Sequence, residues 1–400
     1  MYKRKTYLEK IRPYYNDRNI KILVGIRRCG KSYLLEQIIA DLKKQGIKSD
    51  HIIHVNYETV YRDDLLDYKA LHAFVEEQIK DKSTYYLFLD EIQQVDNFAH
   101  TINSLRVTIK NLSIFITGSN SKLLPSELPT ELSGRYIGFR ISPFSYKEYT
   151  EYTKQEGASE KVFWEYAKWG GLPNVADYQK PAEKEEYLSY VFDSIVLRDI
   201  VERLSLKNVL LFEQLVGYLL ETVGREFSLE NVLNYLKSSG REVAPDTIYA
   251  YLDALQKALL IEKVYRFDLR GKAVLKTLNK YYLTDLGLAT IKNTNPEIDD
   301  AYILENIVFN ELKNRGYKVY IGKTDKGEID FYATKFEEKL YVQVAATLKD
   351  ATTREREFGA FSTISDNHPK LILSLDSRDY SRDGIKHQNL LEWLLNSPKS

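Results

Sequence analysis

A glycine-rich segment near the amino terminus has the residue types and the spacing that bind phosphate. The segment GIRRCGKS, residues 25–32, fits the pattern G-x4-G-K-[ST] and lies between an apolar run and a helical pattern. Glycines let the backbone approach phosphate oxygens closely, and the amino terminus of a helix adds positive potential. Lys31 would contact the β- and γ-phosphates, and the Ser32 hydroxyl would bind Mg²⁺. A glycine-rich turn that matches by chance is the alternative.

Cys29 is the reactive group that this segment adds. Because Cys29 is close to Lys31 and to the start of a helix, we expect its thiol pKa to fall and the thiol to be alkylated readily. A small filler in the loop is the alternative. Arg27 and Arg28 occupy the variable part of the motif and are expected to be solvated. The residues expected to line a nucleotide site are Gly25, Arg27, Arg28, Cys29, Gly30, Lys31, Ser32 and Tyr33.

A second apolar run ends in two adjacent carboxylates. The run YYLFLDE, residues 85–91, places Asp90 and Glu91 at the carboxyl end of a predicted strand. Asp90 can hold Mg²⁺ through water, and Glu91 can orient and polarise an attacking water. Acidic residues that only cap a strand are the alternative. The order and spacing relative to the glycine-rich segment favour a site for a nucleoside triphosphate.

Two further segments could complete this site. The run SIFITGSN ends in Ser119 and Asn120, which would sense the γ-phosphate or position water. A polar turn after a strand is an equally good interpretation of either residue. Arg135, in the segment ELSGRY, could place a guanidinium against the charge that develops during phosphoryl transfer, either within the chain or from a neighbouring subunit. A surface salt bridge is the alternative for Arg135.

Short apolar runs alternate with helical patterns over residues 1–145. Strands that are apolar on both faces are typical of a parallel sheet covered by helices, and the alternation predicts a doubly wound α/β core. From residue 146 to 206 the strand signal disappears, and we predict a helical lid and connector. The runs that predict strands begin at Asn19, His51, Thr84, Asn111 and Arg135.

Residues 207–290 read as three helices followed by two strands, which predicts a winged helix-turn-helix. Ser228 and Asp246 are expected to cap the second and third helices. Because the third helix has few cations on its outward face, we expect any DNA contact to run from the wing to the phosphates. A structural or protein-docking role is the alternative. The wing residues expected to contact DNA are Lys263, Arg266, Arg270 and Lys272.

Residues 299–400 predict a second α/β domain, in which one helix stops at Gly316. Its acidic residues resemble the layout of PD-(D/E)xK (restriction-endonuclease-like) nucleases, in which carboxylates hold Mg²⁺ and a lysine steadies the attacking water or the phosphate charge. Here Ala345 occupies the place of the lysine, so a scaffold or a DNA-binding platform is favoured over cleavage. The residues of this degenerate site are Glu305, Glu328, Asp330 and Gln343.

The composition limits the class of protein. Lys plus Arg and Asp plus Glu both number 57, so no overall basic field attracts nucleic acid. No apolar run approaches the roughly 20 residues of a membrane helix, and the amino terminus lacks a signal-peptide pattern. The single cysteine excludes an internal disulfide and a multi-cysteine zinc site. We therefore expect a cytoplasmic location and no membrane partner.

These motifs resemble the prokaryotic AAA-type P-loop ATPases that carry a carboxyl-terminal domain of undefined function. The similar segments are GIRRCGKS, LFLDEIQQV, ITGSNSKLL, ELSGRY, ISPFSYKEY, GGLP, LENIVFNEL, EIDFY, VQV and TREREF, and they span nearly the whole chain. The resemblance implies binding of ATP and Mg²⁺ and, by analogy, hydrolysis coupled to conformational change. A homo-oligomer is compatible with it. An ATP-switched DNA-binding regulator and an ATP-gated nuclease stay open as alternatives.

Overall fold

The computed structural model describes residues 2–58, 64–119, 123, 132–155, 157, 159–202, 208–291 and 300–396, without the side chains of 197–199, 202 and 276. The chain divides into two compact units, one of Met1–Ser142 with Lys257–Leu259 and one of Pro143–Gln256 with Leu260–Ser400. Each unit contains one sheet. In the described part of the chain, no helix combines the length and the apolar character that crossing a membrane requires.

The first unit alternates strands with helices. Its elements are α1 (Lys5–Ile11), β1 (Ile20–Val24), α2 (Lys31–Lys44), β2 (Ile52–Asn56), α3 (Tyr68–Gln78), β3 (Tyr85–Asp90), α4 (Phe98–Thr108), β4 (Leu112–Gly118) and β5 (Tyr136–Arg140). The strand order is β2-β3-β4-β1-β5, and every pair is parallel. The strands β1, β3 and β4 are buried along their whole length, as parallel strands covered on both faces must be. The predicted parallel α/β core is confirmed.

The sheet register fixes which residues share an edge. Leu23 of β1 lies opposite Thr117 of β4, and Leu89 of β3 lies opposite Ile116 of β4. The carboxyl ends of β1, β3 and β4 therefore meet at one edge of the sheet. The glycine-rich segment follows β1, the acidic pair closes β3, and a serine follows β4 at this same edge.

The second unit begins with helices. They are α5 (Tyr146–Thr153), α6 (Glu160–Trp169), α7 (Pro181–Asp193), α8 (Val209–Glu221), α9 (Leu229–Ser238) and α10 (Pro245–Lys257). The Ser145 hydroxyl and the Glu148 carboxylate form a reciprocal capping box at the start of α5. The chain continues after α7 as a π-helix over Ser194–Glu202. The helices predicted after residue 146 are therefore present.

The two predicted helix caps have different outcomes. The Ser228 Oγ accepts a hydrogen bond from the Asn231 N–H at 3.2 Å, so the predicted cap of α9 is confirmed. The prediction that Asp246 caps α10 is wrong, because α10 begins at Pro245 and Asp246 lies within its first turn. Proline is favoured at the first helical position, where its missing N–H has no intrahelical partner to lose. The buried residues of α10 are Ile248, Tyr251, Leu252, Ala254 and Leu255.

The sheet of the second unit contains an antiparallel pair of strands, Ile261–Asp268 and Ala273–Leu283, together with the carboxyl-terminal strands. We call this pair the β6–β7 hairpin. The remaining elements are β6 (Ile261–Asp268), β7 (Ala273–Leu283), α11 (Gly287–Thr290), α12 (Asp300–Asn314), β8 (Lys318–Thr324), β9 (Gly327–Lys335), β10 (Glu338–Val344), α13 (Ala351–Gly359), β11 (Lys370–Ser374), β12 (Ile385–Asn389) and α14 (Leu390–Leu395). The strand order is β12-β11-β10-β9-β8-β6-β7. Because β6 pairs in parallel with β8, the predicted division between residues 290 and 299 separates segments that share one sheet.

A buried carboxylate, Asp285, ties two segments of the second unit together. Its Oδ2 accepts a hydrogen bond from the Gly171 N–H at 2.7 Å, and its Oδ1 accepts one from the Gly287 N–H at 2.9 Å. A Cβ on Gly171 would lie 2.2 Å from the Phe144 carbonyl oxygen, so no side chain fits there. Burial raises the pKa of Asp285 to about 6. The GGLP segment is thus a packing feature of this unit.

Candidate active site

The glycine-rich segment connects β1 to α2 at the carboxyl edge of the parallel sheet. A Cβ on Gly25 would lie 2.1 Å from the Ile141 carbonyl oxygen, so only glycine fits. Gly30 has a φ of 97° immediately before α2, a left-handed conformation that favours glycine. Because α2 begins at Lys31, its unpaired N–H groups and its positive dipole end adjoin the segment. The local structure has the strand–loop–helix form that phosphate binding requires.

The Lys31 side chain links the three chain segments of this edge. The residue is 4% exposed, and its Nζ donates to the Ser119 Oγ at 2.7 Å and to the Gly25 carbonyl oxygen at 3.2 Å. The same Nζ lies 3.4 Å from the Glu91 Oε1. Three predicted site residues are therefore in direct contact: the phosphate-binding Lys31, the water-activating Glu91 and the sensor Ser119.

The Glu91 carboxylate is held by neighbours on both of its oxygens. Its Oε1 accepts a hydrogen bond from the Ser119 Oγ at 2.6 Å, and its Oε2 accepts one from the Gln93 Nε2. Burial raises the pKa of Glu91, but the Lys31 charge and the hydrogen bonds from Ser119 and Gln93 outweigh it, so the pKa lies below its usual value. Glu91 is therefore charged at neutral pH, as a base that accepts a proton must be.

Asp90 has the geometry of a cation ligand. Its Oδ1 accepts a hydrogen bond from the Thr117 Oγ1. Its Oδ2 is buried and has no hydrogen-bond partner among the described residues. A buried carboxylate oxygen without a donor is unfavourable unless a cation or a water completes it. Ser32, half-buried in the first turn of α2, can supply a hydroxyl, so the residues present fit Mg²⁺.

No group of three or more His, Cys, Asp or Glu side chains in the described ranges could hold a metal ion.

The remaining predicted binding residues lie on the outer side of the segment. The Arg27 guanidinium is 3.9 Å from the Glu58 carboxylate. Arg28 is exposed with a φ of 66°, and Tyr33 is 55% exposed. The expected solvation of Arg28 is confirmed, and the roles of Arg27, Arg28 and Tyr33 in nucleotide binding stay predictions.

The prediction that Cys29 is a reactive thiol is wrong. The side chain is completely buried, and its Sγ donates to the Ile141 carbonyl oxygen at 3.3 Å. Burial raises the pKa of the Cys29 thiol and outweighs the charges of Lys31 and Arg4. Sequence reasoning missed Arg4, whose Nη1 donates to the Cys29 carbonyl oxygen at 3.3 Å and to the Ser142 carbonyl oxygen at 2.8 Å. The Cys29 side chain therefore packs in the interior, on the inner side of the glycine-rich segment to which it belongs.

Arg135 lies at the other edge of the parallel sheet. Its carbonyl oxygen accepts a hydrogen bond from the Ile20 N–H, at the amino end of β1, whereas the phosphate segment follows the carboxyl end of β1. The Arg135 Nη1 donates to the Asn103 Oδ1 at 2.6 Å. The structure does not bring Arg135 to the site within one chain, and its action from a neighbouring subunit stays a prediction. Asn120 lies outside the described residues.

The acidic residues predicted for the degenerate nuclease site, Glu305 on α12 and Glu328 and Asp330 on β9, belong to a second, partly buried cluster. The Lys280 Nζ donates to the Glu305 Oε1 at 2.7 Å, and the Tyr282 hydroxyl donates to the same oxygen. Desolvation and the Glu305 charge raise the pKa of Asp330 to about 8 against the opposing charge of Lys280. The Gln343 Oε1 accepts from the Asp330 N–H at 3.2 Å. Sequence reasoning did not place Lys280 and Tyr282 at this cluster, because both lie on β7, which was interpreted as a strand of the wing.

The prediction that Arg266 contacts DNA needs correction. Its Nε lies 2.5 Å from the Glu328 Oε1, and its side chain is only 12% exposed. This half-buried ion pair keeps the guanidinium away from an external phosphate, because binding the phosphate would leave the half-buried Glu328 carboxylate without its partner. The hairpin cations that reach the surface are Lys263, Arg270 and Lys272.

Comparisons with known proteins agree with this geometry. Residues 17–150 match the family model of an AAA domain, and residues 160–297 match a domain of unknown function. The Walker-type ATPase of Pyrococcus abyssi shares 16% sequence identity at a TM-score of 0.50, over 73% of this chain and 96% of that chain. At this identity the likeness shows the fold alone.

Two relatives match over most of their length. An uncharacterized protein of Haemophilus influenzae is 37% identical over 400 residues, which cover 99% of each chain. An uncharacterized protein of Methanocaldococcus jannaschii is 32% identical over 361 residues, which cover 86% of this chain and 78% of that protein. The chain therefore belongs to the family of these two proteins, and it contains an AAA-type P-loop ATPase domain.

Proposed function

We propose that this protein is a Mg²⁺-dependent ATPase that uses nucleotide-driven conformational change, in the cytoplasm. The observation that carries the proposal is the contact of Lys31 with Ser119 and Glu91 at the carboxyl edge of the parallel sheet, beside the unpartnered Oδ2 of Asp90. A phosphate segment, a metal ligand and a charged base at one edge are the parts that hydrolysis of a phosphoanhydride needs.

Each residue of this edge has a separate role in the proposal. Lys31 and the backbone of the glycine-rich segment bind the β- and γ-phosphates. Ser32 and Asp90 hold Mg²⁺, which neutralises phosphate charge when it is bound. Glu91 accepts a proton from the attacking water, and its lowered pKa keeps it deprotonated for this step. Ser119 positions the water or senses the γ-phosphate.

Two substitutions separate binding from turnover. Lys31→Ala should weaken ATP binding at least tenfold, because a buried charge-assisted contact is lost. Glu91→Gln should bind Mg²⁺·ATP as the parent does and lower kcat by about 100-fold or more, because it removes the general base. Calorimetry measures the binding, and phosphate release measures the turnover. Lys44→Ala, an exposed lysine of the same helix, should change neither. Parental turnover in Glu91→Gln would reject the assignment.

DNA binding is a second candidate function. The observation that favours it is the exposed pair of cations at the tip of the β6–β7 hairpin, Arg270 and Lys272, of which the Arg270 side chain is 81% exposed. Arg270 lies 3.0 Å from Asp325, an exposed ion pair that contributes little and can be exchanged for a phosphate. DNA would then be a partner of the ATPase or the target of an ATP-switched regulator.

Nuclease activity is disfavoured by the residues of the second cluster. The Lys280 ammonium already pairs with Glu305, and Ala345 stands where the nuclease pattern places its lysine. The lysine that would steady the attacking water or the phosphate charge is therefore missing from its position. We therefore propose that Glu305, Glu328, Asp330 and Gln343 stabilise the carboxyl-terminal strands.

A further inference from the structure

We propose that Gln93 is a positioning residue of the ATPase site and fixes the orientation of the Glu91 carboxylate. Gly118, which has no side chain, leaves the space that the Gln93 amide occupies. The inference rests on the proposed function of Glu91 as the base. Gln93 lies two residues beyond Glu91, in the short 3-10 turn Ile92–Gln94. Its amide reaches back to the base from the same chain segment.

The first observation is that Gln93 completes the set of donors around Glu91. The Gln93 Nε2 donates to the Oε2 of Glu91, while Ser119 and Lys31 take the Oε1. The donors to the Oε1 belong to residues that the proposed function also assigns to phosphate or water. Gln93 is the donor on the Oε2, so its hydrogen bond can keep the carboxylate oriented when Lys31 and Ser119 exchange their contacts with Glu91 for contacts with a nucleotide.

The second observation is the shape of β4 beneath the amide. A Cβ on Gly118 would lie 2.5 Å from the Gln93 Oε1 and 2.4 Å from a methyl carbon of Leu123. Any larger residue at position 118 would push the glutamine amide or the leucine away. The absence of a side chain at Gly118 is what allows the Gln93 amide to lie against the strand beside Glu91.

The third observation is that this placement is unfavourable for Gln93 itself. Its Oε1 is buried and has no hydrogen-bond partner among the described residues. A buried acceptor without a donor destabilises the folded chain. Turning the amide over would place that oxygen against the carboxylate and remove the donor from Glu91. The orientation is therefore set by the requirement of Glu91 for a donor.

Removing the amide should lower the rate without weakening substrate binding. The Gln93 Nε2 is the donor on the Glu91 Oε2, so its loss lets the carboxylate turn away from the position of the attacking water. A looser carboxylate should lower kcat by roughly tenfold to a hundredfold. The affinity for Mg²⁺·ATP should not change, because the contact that is lost is made to Glu91 and not to a residue proposed to bind phosphate or metal.

The test compares Gln93→Met with Gln94→Met in the full chain. Gln93→Met keeps the length of the side chain and removes both the donor and the unpartnered acceptor, so the folded chain should lose no thermal stability. We expect lower kcat and an unchanged calorimetric Kd for Mg²⁺·ATP, a combination that a general loss of structure would not give. Gln94→Met alters the adjacent exposed glutamine and should match the parent. Gly118→Ala, which displaces the amide without removing it, should lower kcat in the same way.

The outcomes separate this inference from the proposed function. A parental kcat in Gln93→Met, with an inactive Glu91→Gln, overturns the role of Gln93 alone. A fully active Glu91→Gln overturns the proposed function. A Kd for Mg²⁺·ATP that weakens in Gln93→Met in step with the loss of kcat also overturns the inference, because it would indicate a structural role and not the positioning of the base.

Discussion

The first unit contains two buried lysines, Lys21 and Lys31, whose side chains have different hydrogen-bond partners and therefore different roles. The Lys31 ammonium has a carboxylate 3.4 Å away, at Glu91. Lys21, on β1, is fully buried and donates to neutral acceptors, the Asp17 carbonyl oxygen at 2.8 Å and the Ser113 Oγ at 2.7 Å. Burial lowers the pKa of Lys21 to about 7. The first lysine is poised for an anionic ligand, whereas the second is a structural residue that is only partly charged at neutral pH.

Lys21→Met should alter how the stability of the chain depends on pH. The pKa of Lys21 is about 7 in the folded chain and about 10.5 in the unfolded chain, so between these values the unfolded chain binds more protons. Stability should therefore rise from pH 7 to pH 10 in the parent. The variant should rise less and should be at least as stable at pH 7. Urea unfolding at pH 7.0 and 9.5 measures both effects.

The exposed Lys43 of α2 offers the matched control for this experiment. Lys43→Met should keep the parental dependence on pH, because the exposed Lys43 ammonium stays hydrated when the chain folds. Identical slopes for Lys21→Met and the parent would contradict the interpretation of Lys21 as a buried base.

Strand ends were the most predictable elements of the site. Each of β1, β3 and β4 is an apolar run that stops at a glycine, an acid or a small polar residue, so the common edge followed from the parallel direction alone. Gln93 was not predictable, because nothing in the sequence QQ distinguishes it from Gln94. The direction of the Gln93 side chain depends on the backbone of Glu91, which has a φ of 56° and so reverses the chain direction before the 3-10 turn. Backbone conformations of single residues leave no periodic signal.

Glycines that contact backbone atoms should be the least replaceable feature of the second unit. Gly171→Ala should destabilise that unit by about 2 kcal/mol or more, because its Cβ would lie 2.2 Å from a carbonyl oxygen that cannot move freely. Gly217→Ala is the matched control, since a Cβ there meets no atom within 4 Å. In the middle of α8 it should stabilise by up to about 1 kcal/mol. Denaturant unfolding followed by circular dichroism measures both, and equal effects would contradict the packing role.

At the scale of the whole chain, the sequence predicted elements better than it predicted their partners. A pair of strands in residues 207–290 and a second α/β domain after residue 299 were both expected, but the pairing of β6 with β8 was not, because more than one segment intervenes and periodicity specifies a strand without its neighbour. The strand β12, IKHQN, lacks the apolar run from which a strand is predicted. The GGLP segment was noticed as a motif, but its contact with Asp285 was not, since 114 residues separate Gly171 from Asp285.

The zero net charge of the whole chain limits where DNA could bind. Because positive and negative residues are equal in number, DNA affinity must come from a local patch. Arg270→Glu combined with Lys272→Glu should abolish salt-sensitive binding of duplex DNA, measured by fluorescence anisotropy at 50 and 200 mM salt. Lys339→Glu with Lys386→Glu makes the same change of charge at other exposed positions and should have little effect. Equal losses from both pairs would exclude a specific role for the hairpin.

The contacts of Lys31 have a consequence for the order of events at the site. Its ammonium already contacts four oxygens of the protein, from the Gly25 and Ile26 carbonyls and from the Ser119 and Glu91 side chains. In the proposed function, an incoming triphosphate must therefore compete with ligands that the protein itself supplies. Winning that competition would separate the ammonium from the serine hydroxyl and the glutamate oxygen in the same exchange. Capture of the substrate and release of the residues proposed for catalysis would then be one event, and a ligand too short to reach the ammonium would leave them engaged with Lys31.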